Sequence, residues 1–139
     1  QRELYCFGVG YHKVLLKTIR PGVHITELAK EAADAIRPTW STWSWSKPAY
    51  RDAALKMIDS LVAFTHPVGM CVHDVGQYKS QPLQPGLVFA LDPQLWVEEE
   101  QLYIRVEDTI VITPDGAESL TKAATLELDE TERIVQAGR

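Results

Sequence analysis

The sequence predicts an α+β domain, with helices in its first part and strands from Thr65 onward. Apolar residues recur every three or four positions in three early segments, which is typical of amphipathic helices. After Thr65 they form short runs or alternate with polar residues, and loops that contain proline and glycine separate them. A chain of 139 residues is long enough for one such domain and too short for a second independent core.

Three helices are predicted. The first covers residues 2–19 and ends before Pro21-Gly22, a strong turn signal. The second begins after Thr26, a suitable N-cap residue, and ends at Pro38. The third begins at Pro48, because proline is well tolerated in the first helical turn. Their apolar faces consist of Leu4, Phe7, Tyr11, Val14, Leu15 and Ile19, then Leu28, Ala29, Ala32, Ala33 and Ile36, then Ala53, Ala54, Met57, Ile58, Leu61 and Val62.

Three tryptophans, Trp40, Trp43 and Trp45, lie between the second and third helices among serine and threonine residues. This stretch has no helical or strand period. One interpretation is a rim or lid that offers aromatic surface to a ligand or a partner. The other is a loop whose tryptophans fold back onto the helices. The sequence leaves both open.

Three main strands are predicted, at Val68–Val75, Leu87–Leu91 and Leu102–Thr113. The second is a short apolar run, as in buried strands, and the third alternates between a mostly aliphatic face and a face that carries Arg105, Glu107 and Thr109. After the turn that Pro114-Asp115-Gly116 predicts, Glu118–Leu120 is expected to pair as a short last strand. Residues 127–139 are highly charged with weak periodicity, and we expect a frayed tail there.

A histidine and two carboxylates on these segments are candidate metal ligands. His66 precedes the first predicted strand, Asp92 follows the second, and Glu107 lies within the third. Strands that lie side by side would bring the three side chains together. Mn²⁺, Co²⁺ and Zn²⁺ all accept imidazole together with carboxylate. A metal bound there would lower the pKa of its water and supply a nucleophile near neutral pH.

Two further residues could assist this chemistry. His73 lies seven residues after His66, an odd separation that puts the two on opposite faces of an extended strand unless the chain bends between them. His73 is therefore expected to support a ligand or donate a proton. Arg105 shares a strand face with Glu107 and could fix the orientation of that carboxylate. The simpler alternative is an ordinary domain in which His66 lies at the surface and Glu107 is solvated.

Composition excludes several classes of partner. The net charge is −5 with scattered basic residues, so no surface for nucleic acid or for an anionic membrane is predicted. No apolar run approaches the roughly 18 residues that a membrane span needs. Cys6 and Cys71 belong to no pairing motif, and we expect buried free thiols in a reducing compartment. A cytoplasmic location is the resulting expectation.

Beyond single residues, a series of motifs resembles the pita-bread metallopeptidases, the family of creatinase, prolidase, methionine aminopeptidase and aminopeptidase P. The resemblance covers nearly the whole chain, in order. Its elements are Gln1-Arg2-Glu3-Leu4-Tyr5, Arg20-Pro21-Gly22, His66, Val72-His73-Asp74, Pro85-Gly86, Asp92-Pro93, Arg105-Val106-Glu107-Asp108-Thr109 and Asp115-Gly116-Ala117-Glu118-Ser119-Leu120-Thr121.

The resemblance implies the carboxy-terminal half of a pita-bread fold, with helices packed on one face of a curved, mostly antiparallel sheet. It implies a two-metal exopeptidase, similar to Xaa-Pro aminopeptidases and dipeptidases, in which a metal-bridging hydroxide attacks the first peptide bond of a short peptide or dipeptide. His66 and Asp92 would ligate one Mn, Co or Zn ion, and Glu107 would bridge both. His73 would contact substrate, Asp92 would pass a proton to the leaving amine, and Arg105 would assist.

The sequence also departs from the family pattern. Asp92 replaces the usual glutamate, Gln94 replaces a glycine, and Val62 stands where Xaa-Pro enzymes often carry another histidine. The family's two aspartate ligands lie before the motif with which this chain opens. We therefore expect residues 1–139 to be a single partial catalytic domain that is inactive without its amino-terminal half. Two other functions remain as alternatives, a non-catalytic peptide- or protein-binding module and a creatinase-like amidinohydrolase. A homodimer is a further expectation that the resemblance leaves open.

Overall fold

The structure is a computed structural model that describes residues 1–60 and 64–138. Three helices come first, a set of strands follows, and a short helix closes the described chain. The helices are α1 (Arg2–Thr18), α2 (Ile25–Thr42), α3 (Pro48–Asp59) and α4 (Leu128–Ala137). The strands are β1 (Thr65–Pro67), β2 (Val88–Leu91), β3 (Gln94–Val97), β4 (Leu102–Arg105), β5 (Asp108–Thr113) and β6 (Gly116–Ser119).

Helix α1 lies at the centre of the molecule, against α2, α3, β3, β4 and β6. Its predicted apolar face is confirmed, because Leu4, Phe7, Tyr11 and Leu15 are all buried. Gly8 lies inside α1, although glycine is an unfavourable residue within a helix. A Cβ atom at this position would lie 3.4 Å from side-chain atoms of both Leu95 and Val106, so the helix packs directly against β3 and the residue after β4 here.

Helix α2 runs four residues past Pro38, so the predicted end at that proline is wrong. The Ser41 and Thr42 hydroxyls donate to the Pro38 carbonyl at 2.8 and 3.1 Å. The Trp40 indole donates to the Arg51 carbonyl of α3 at 3.0 Å, which anchors the extra turn. The start also differs from the prediction, since His24 rather than Thr26 is the N-cap residue.

The tryptophans fold back onto α1, as the second interpretation predicts. The rings of Trp43 and Trp45 pack edge-to-face on Phe7, with centroids 5.3 and 5.0 Å away. The Trp45 indole donates to the Trp40 carbonyl at 3.1 Å. All three tryptophans are partly buried, and they extend the hydrophobic core at the α2–α3 connection.

Helix α3 begins at Pro48 as predicted, and two residues of its predicted apolar face, Leu61 and Val62, lie outside the described part of the chain. At the other end, α4 occupies the segment where the sequence predicts a frayed tail. The segment makes ion pairs with α1. Arg2 contacts Asp129 at 2.6 Å and Glu132 at 2.7 Å, and Lys13 pairs with Glu127.

The strands form two antiparallel sheets, a four-stranded sheet in the order β1-β2-β5-β6 and a β3–β4 hairpin. The predicted strand Leu102–Thr113 is therefore two strands, because the chain breaks at Val106 and Glu107 and passes from one sheet to the other. The predicted strand Val68–Val75 is irregular backbone that follows β1. The Pro114-Asp115 turn between β5 and β6 is confirmed.

A buried histidine–carboxylate contact joins α1 to the four-stranded sheet. His12 is 1% exposed and Asp108 is 6% exposed, with Nε2 and Oδ2 separated by 3.4 Å. The hydroxyl of Thr121 donates to the other oxygen of Asp108. Burial lowers the pKa of His12, and the negative charge of Asp108 offsets only part of that effect. His12 is therefore held neutral over a wider pH range in the folded chain than in the unfolded one.

This pKa shift predicts that acid destabilises the fold through His12. Below the ordinary value of 6.5 the unfolded chain binds a proton that the folded chain resists, so the free energy of unfolding falls as pH falls. The slope from one such group is at most about 1.4 kcal/mol per pH unit. Urea unfolding from about pH 8 to about pH 5 should show this slope in the native chain but not in His12→Gln. An equal slope in the native chain and in His12→Gln would contradict this role of His12. His24→Gln serves as the control variant.

Candidate metal centre

The register of the four-stranded sheet brings three of the predicted residues together. His66 lies opposite Ala90, and Ala90 lies opposite Thr109. Asp92 follows Ala90 by two residues, and Glu107 precedes Thr109 by two in the antiparallel direction. Side chains two residues apart on a strand share a face, so all three project to one side where β2 ends and β5 begins.

The three side chains converge on one point. Each offers one ligand atom, and these atoms all lie within 4.8 Å of one another. The Nε2 atom of His66 is 3.2 Å from Oε1 of Glu107 and 3.7 Å from Oδ2 of Asp92. The predicted ligand set His66, Asp92 and Glu107 is thus brought together as a cluster. It is the sole group of this kind among residues 1–60 and 64–138.

The backbone favours the histidine tautomer that a metal needs. Nδ1 of His66 lies 3.1 Å from the Pro67 carbonyl, which can only accept a hydrogen bond. A proton on Nδ1 satisfies that contact and leaves the Nε2 lone pair facing Asp92 and Glu107. Three electron-rich groups then face one another, an arrangement that a cation stabilises.

Asp92 is the most buried member, at 1% exposure. Its backbone N–H donates to the Phe64 carbonyl at 2.6 Å, which fixes the residue beside β1. Burial raises the pKa of Asp92, while a hydrogen bond from Gln94 and the positive charge of Arg105 lower it and so limit the rise. The Asp92 carboxylate is therefore surrounded by a hydrogen-bond donor and a positive charge instead of by water.

Arg105 lies in the middle of the cluster. Its Nη2 atom is 2.7 Å from Asp92, 2.7 Å from Glu107 and 3.4 Å from Nε2 of His66. The pairing of Arg105 with Glu107 that the sequence predicts is confirmed, although the two residues do not share one continuous strand. The guanidinium is one positive charge against two carboxylates, so the cluster keeps a net negative charge while His66 is neutral.

The predicted helper His73 lies on the irregular segment after β1, and its ring centroid is 4.3 Å from that of His66. The bend needed to bring the rings together is made around Asp74. The Asp74 carboxylate accepts the backbone N–H groups of Cys71 and Val75 at 3.3 and 2.7 Å, and these bonds lower its pKa. Gly69 allows this turn, because a Cβ there would lie 2.1 Å from Asp74.

The residues present fit a divalent metal ion. One imidazole and two carboxylates are a donor set that Mn²⁺, Co²⁺ and Zn²⁺ accept, and the surplus negative charge favours a cation. Sequence reasoning missed Asp74, which shapes the loop that carries His73. It noted Gln94 only as a departure from a family pattern, although this side chain hydrogen-bonds to Asp92. No local pattern signals either role, because both depend on contacts made in the folded chain.

Two other expectations concern residues away from the cluster. Cys6 and Cys71 are both free, as predicted, but both are exposed, so the prediction of buried thiols is wrong. Cys6 lies on the outer face of α1, and Cys71 lies in the bend before His73. Across the described residues, no helix is long and apolar enough to cross a membrane.

Comparison with known proteins finds that this chain is similar to metallopeptidases. The model of metallopeptidase family M24 matches residues 1–114. The Xaa-Pro aminopeptidase of Escherichia coli (strain K12) is 30% identical over 162 aligned residues, which cover 100% of this chain and 35% of that protein. The Xaa-Pro dipeptidase of Pyrococcus furiosus is 27% identical over 125 residues, which cover 88% of this chain and 31% of that protein.

Solved structures of aminopeptidase P are also similar to this chain. The low-pH form of E. coli aminopeptidase P has a TM-score of 0.74 and 27% identity, over 98% of this chain and 34% of that one. The Zn-substituted E. coli enzyme in complex with product has a TM-score of 0.70 and 28% identity, over 100% and 35%. The predicted fold class is confirmed. The chain spans about a third of the length of the proteins that it matches.

Proposed function

The chain belongs to metallopeptidase family M24, and from this premise we propose that it forms one side of a two-metal exopeptidase site that cleaves short peptides at Xaa-Pro bonds. The observation that carries the proposal is the convergence of His66, Asp92 and Glu107 to within 4.8 Å. Peptide substrates are supported by the names of the relatives, an Xaa-Pro aminopeptidase and an Xaa-Pro dipeptidase.

Each residue of the cluster has a distinct part in the proposal. His66 and Asp92 would hold one divalent ion, and Glu107, which faces His66 with one oxygen and Arg105 with the other, would help to hold a second ion. When bound, the ions polarise the scissile carbonyl and activate a water molecule. Arg105 orients both carboxylates through its 2.7 Å contacts.

Proton transfer falls to His73 and to Asp92 in the proposal. His73 is exposed beside His66, so its imidazole can reach the substrate carbonyl and donate to it. Asp92 is buried, which favours its protonated form, and the same carboxyl can pass a proton to the leaving amine.

Three ligand residues are few for two metal ions, since structural and catalytic sites use about three or four per ion. We infer that further carboxylate ligands come from outside these 139 residues, which agrees with the fraction of each relative that the chain covers. On this proposal residues 1–139 are part of a larger catalytic domain, and the isolated chain does not hydrolyse peptides.

Metal removal tests the proposal. The full-length protein that contains this chain is treated with a chelator, dialysed and assayed on Ala-Pro and Ala-Ala dipeptides before and after addition of Mn²⁺, Co²⁺ or Zn²⁺. We expect hydrolysis of Ala-Pro to disappear on chelation and return with metal, and the isolated 139-residue chain to be inactive throughout. A protein that binds no metal and cleaves neither dipeptide would instead support a non-catalytic binding module.

A further inference from the structure

Gln94 holds the buried carboxylate of the cluster in a way that no other described side chain does. Its Nε2 atom lies 2.9 Å from Oδ1 and 3.0 Å from Oδ2 of Asp92. Gln94 is the first residue of β3 and lies directly opposite Arg105 in the β3–β4 hairpin. The hairpin therefore delivers two donors to Asp92, an amide from one strand and a guanidinium from the other.

The two nearly equal distances define where the amide lies. An atom equidistant from both oxygens lies on the bisector of the carboxylate, which is the position that a cation takes when both oxygens bind it. Gln94 occupies that position with an N–H donor. The oxygen that faces the cluster is Oδ2, which is 2.7 Å from Arg105 and 3.7 Å from Nε2 of His66.

We propose that Gln94 is a positioning residue that restricts Asp92 to metal ligation through Oδ2 alone. This inference rests on the function proposed above and adds how Asp92 is presented to the metal ion. The amide satisfies lone pairs on both oxygens of a buried carboxylate, so rotation of Asp92 would break hydrogen bonds that water does not replace. The side chain thus sets how many oxygens the protein offers to the ion.

The test compares metal binding in the full-length protein and in Gln94→Met, which keeps the length of the side chain and removes its donors. Co²⁺ is the probe, because its visible absorption reports coordination number. We expect about tenfold weaker Co²⁺ binding in the variant, the scale seen when a partner of a metal ligand is lost. We also expect a changed Co²⁺ spectrum, because Asp92 is then free to offer both oxygens.

The controls separate this inference from the proposed function. Gln84→Met removes an exposed glutamine whose amide donates to the Pro82 carbonyl and not to Asp92, and it should leave affinity and spectrum unchanged. Gln94→Ala should reproduce the effects of Gln94→Met, and either variant suffices if the other does not fold. Native affinity and spectrum in a folded Gln94 variant would overturn the inference alone. A native protein that binds no Co²⁺ would overturn the inference and the proposed function together.

Discussion

Replacing His66 with alanine is expected to weaken metal binding by at least about 100-fold in the full-length protein and to remove peptide hydrolysis at ordinary metal concentrations. His66 supplies the sole imidazole nitrogen of the cluster, and its Nε2 atom faces both Asp92 and Glu107. Metal content by mass spectrometry after gel filtration and the rate of Ala-Pro hydrolysis measure the two losses.

Two other histidines provide the matched comparisons. His73→Ala should keep the metal but lower turnover by roughly 100-fold or more, the range for loss of a proton donor, since the His73 ring lies beside that of His66 without joining the cluster. His24→Ala, at the start of α2, should change neither quantity. If His66→Ala retains its metal and its activity, the cluster is not the metal site and the proposed function is wrong.

Phe89→Ala is expected to lower the free energy of unfolding by about 3–5 kcal/mol, the cost of a large cavity in a close-packed core. Phe89 is 0% exposed on β2, between β1 and β5, and its ring stacks on Tyr78 with centroids 5.0 Å apart. Chemical denaturation followed by tryptophan fluorescence gives the change.

A smaller loss is expected for Phe89→Leu, because leucine fills much of the same volume. Val75→Ala is the surface control, since Val75 is 93% exposed, and it should change stability by no more than about 0.5 kcal/mol. Equal destabilisation by Phe89→Ala and Val75→Ala would show that β2 does not anchor the sheet.

The sequence predicts the helices well and the strands less well, for a physical reason. The apolar face of α1 is a local pattern, and burial of Leu4 to Leu15 confirms it. Residues 102–113 alternate with two departures, Asp108 on the aliphatic face and Val111 on the polar face, and neither departure identifies a break between β4 and β5. The switch of Arg105 and Asp108 to different partner strands is a property of the sheets, which the alternation cannot show.

The candidate site likewise contains residues that the sequence identifies and residues whose roles only the fold reveals. His66, Asp92 and Glu107 are identifiable because their residue types suit a metal and because they flank strands. The roles of Gln94 and Asp74 depend on hairpin register and on a loop bend. The α4 segment makes a related point, since its ion pairs join residues more than a hundred positions apart in sequence.

Arg105 has a consequence for the order in which this site is assembled. A guanidinium that contacts both Asp92 and Glu107 at 2.7 Å gives the two carboxylates a counter-ion made by the chain itself. Folding of the sheet around Asp92 then does not wait for a metal, unlike small domains whose folding energy is the metal's own binding energy. The sheet folds with this internal cation in place, so on the proposed function metal binding follows folding.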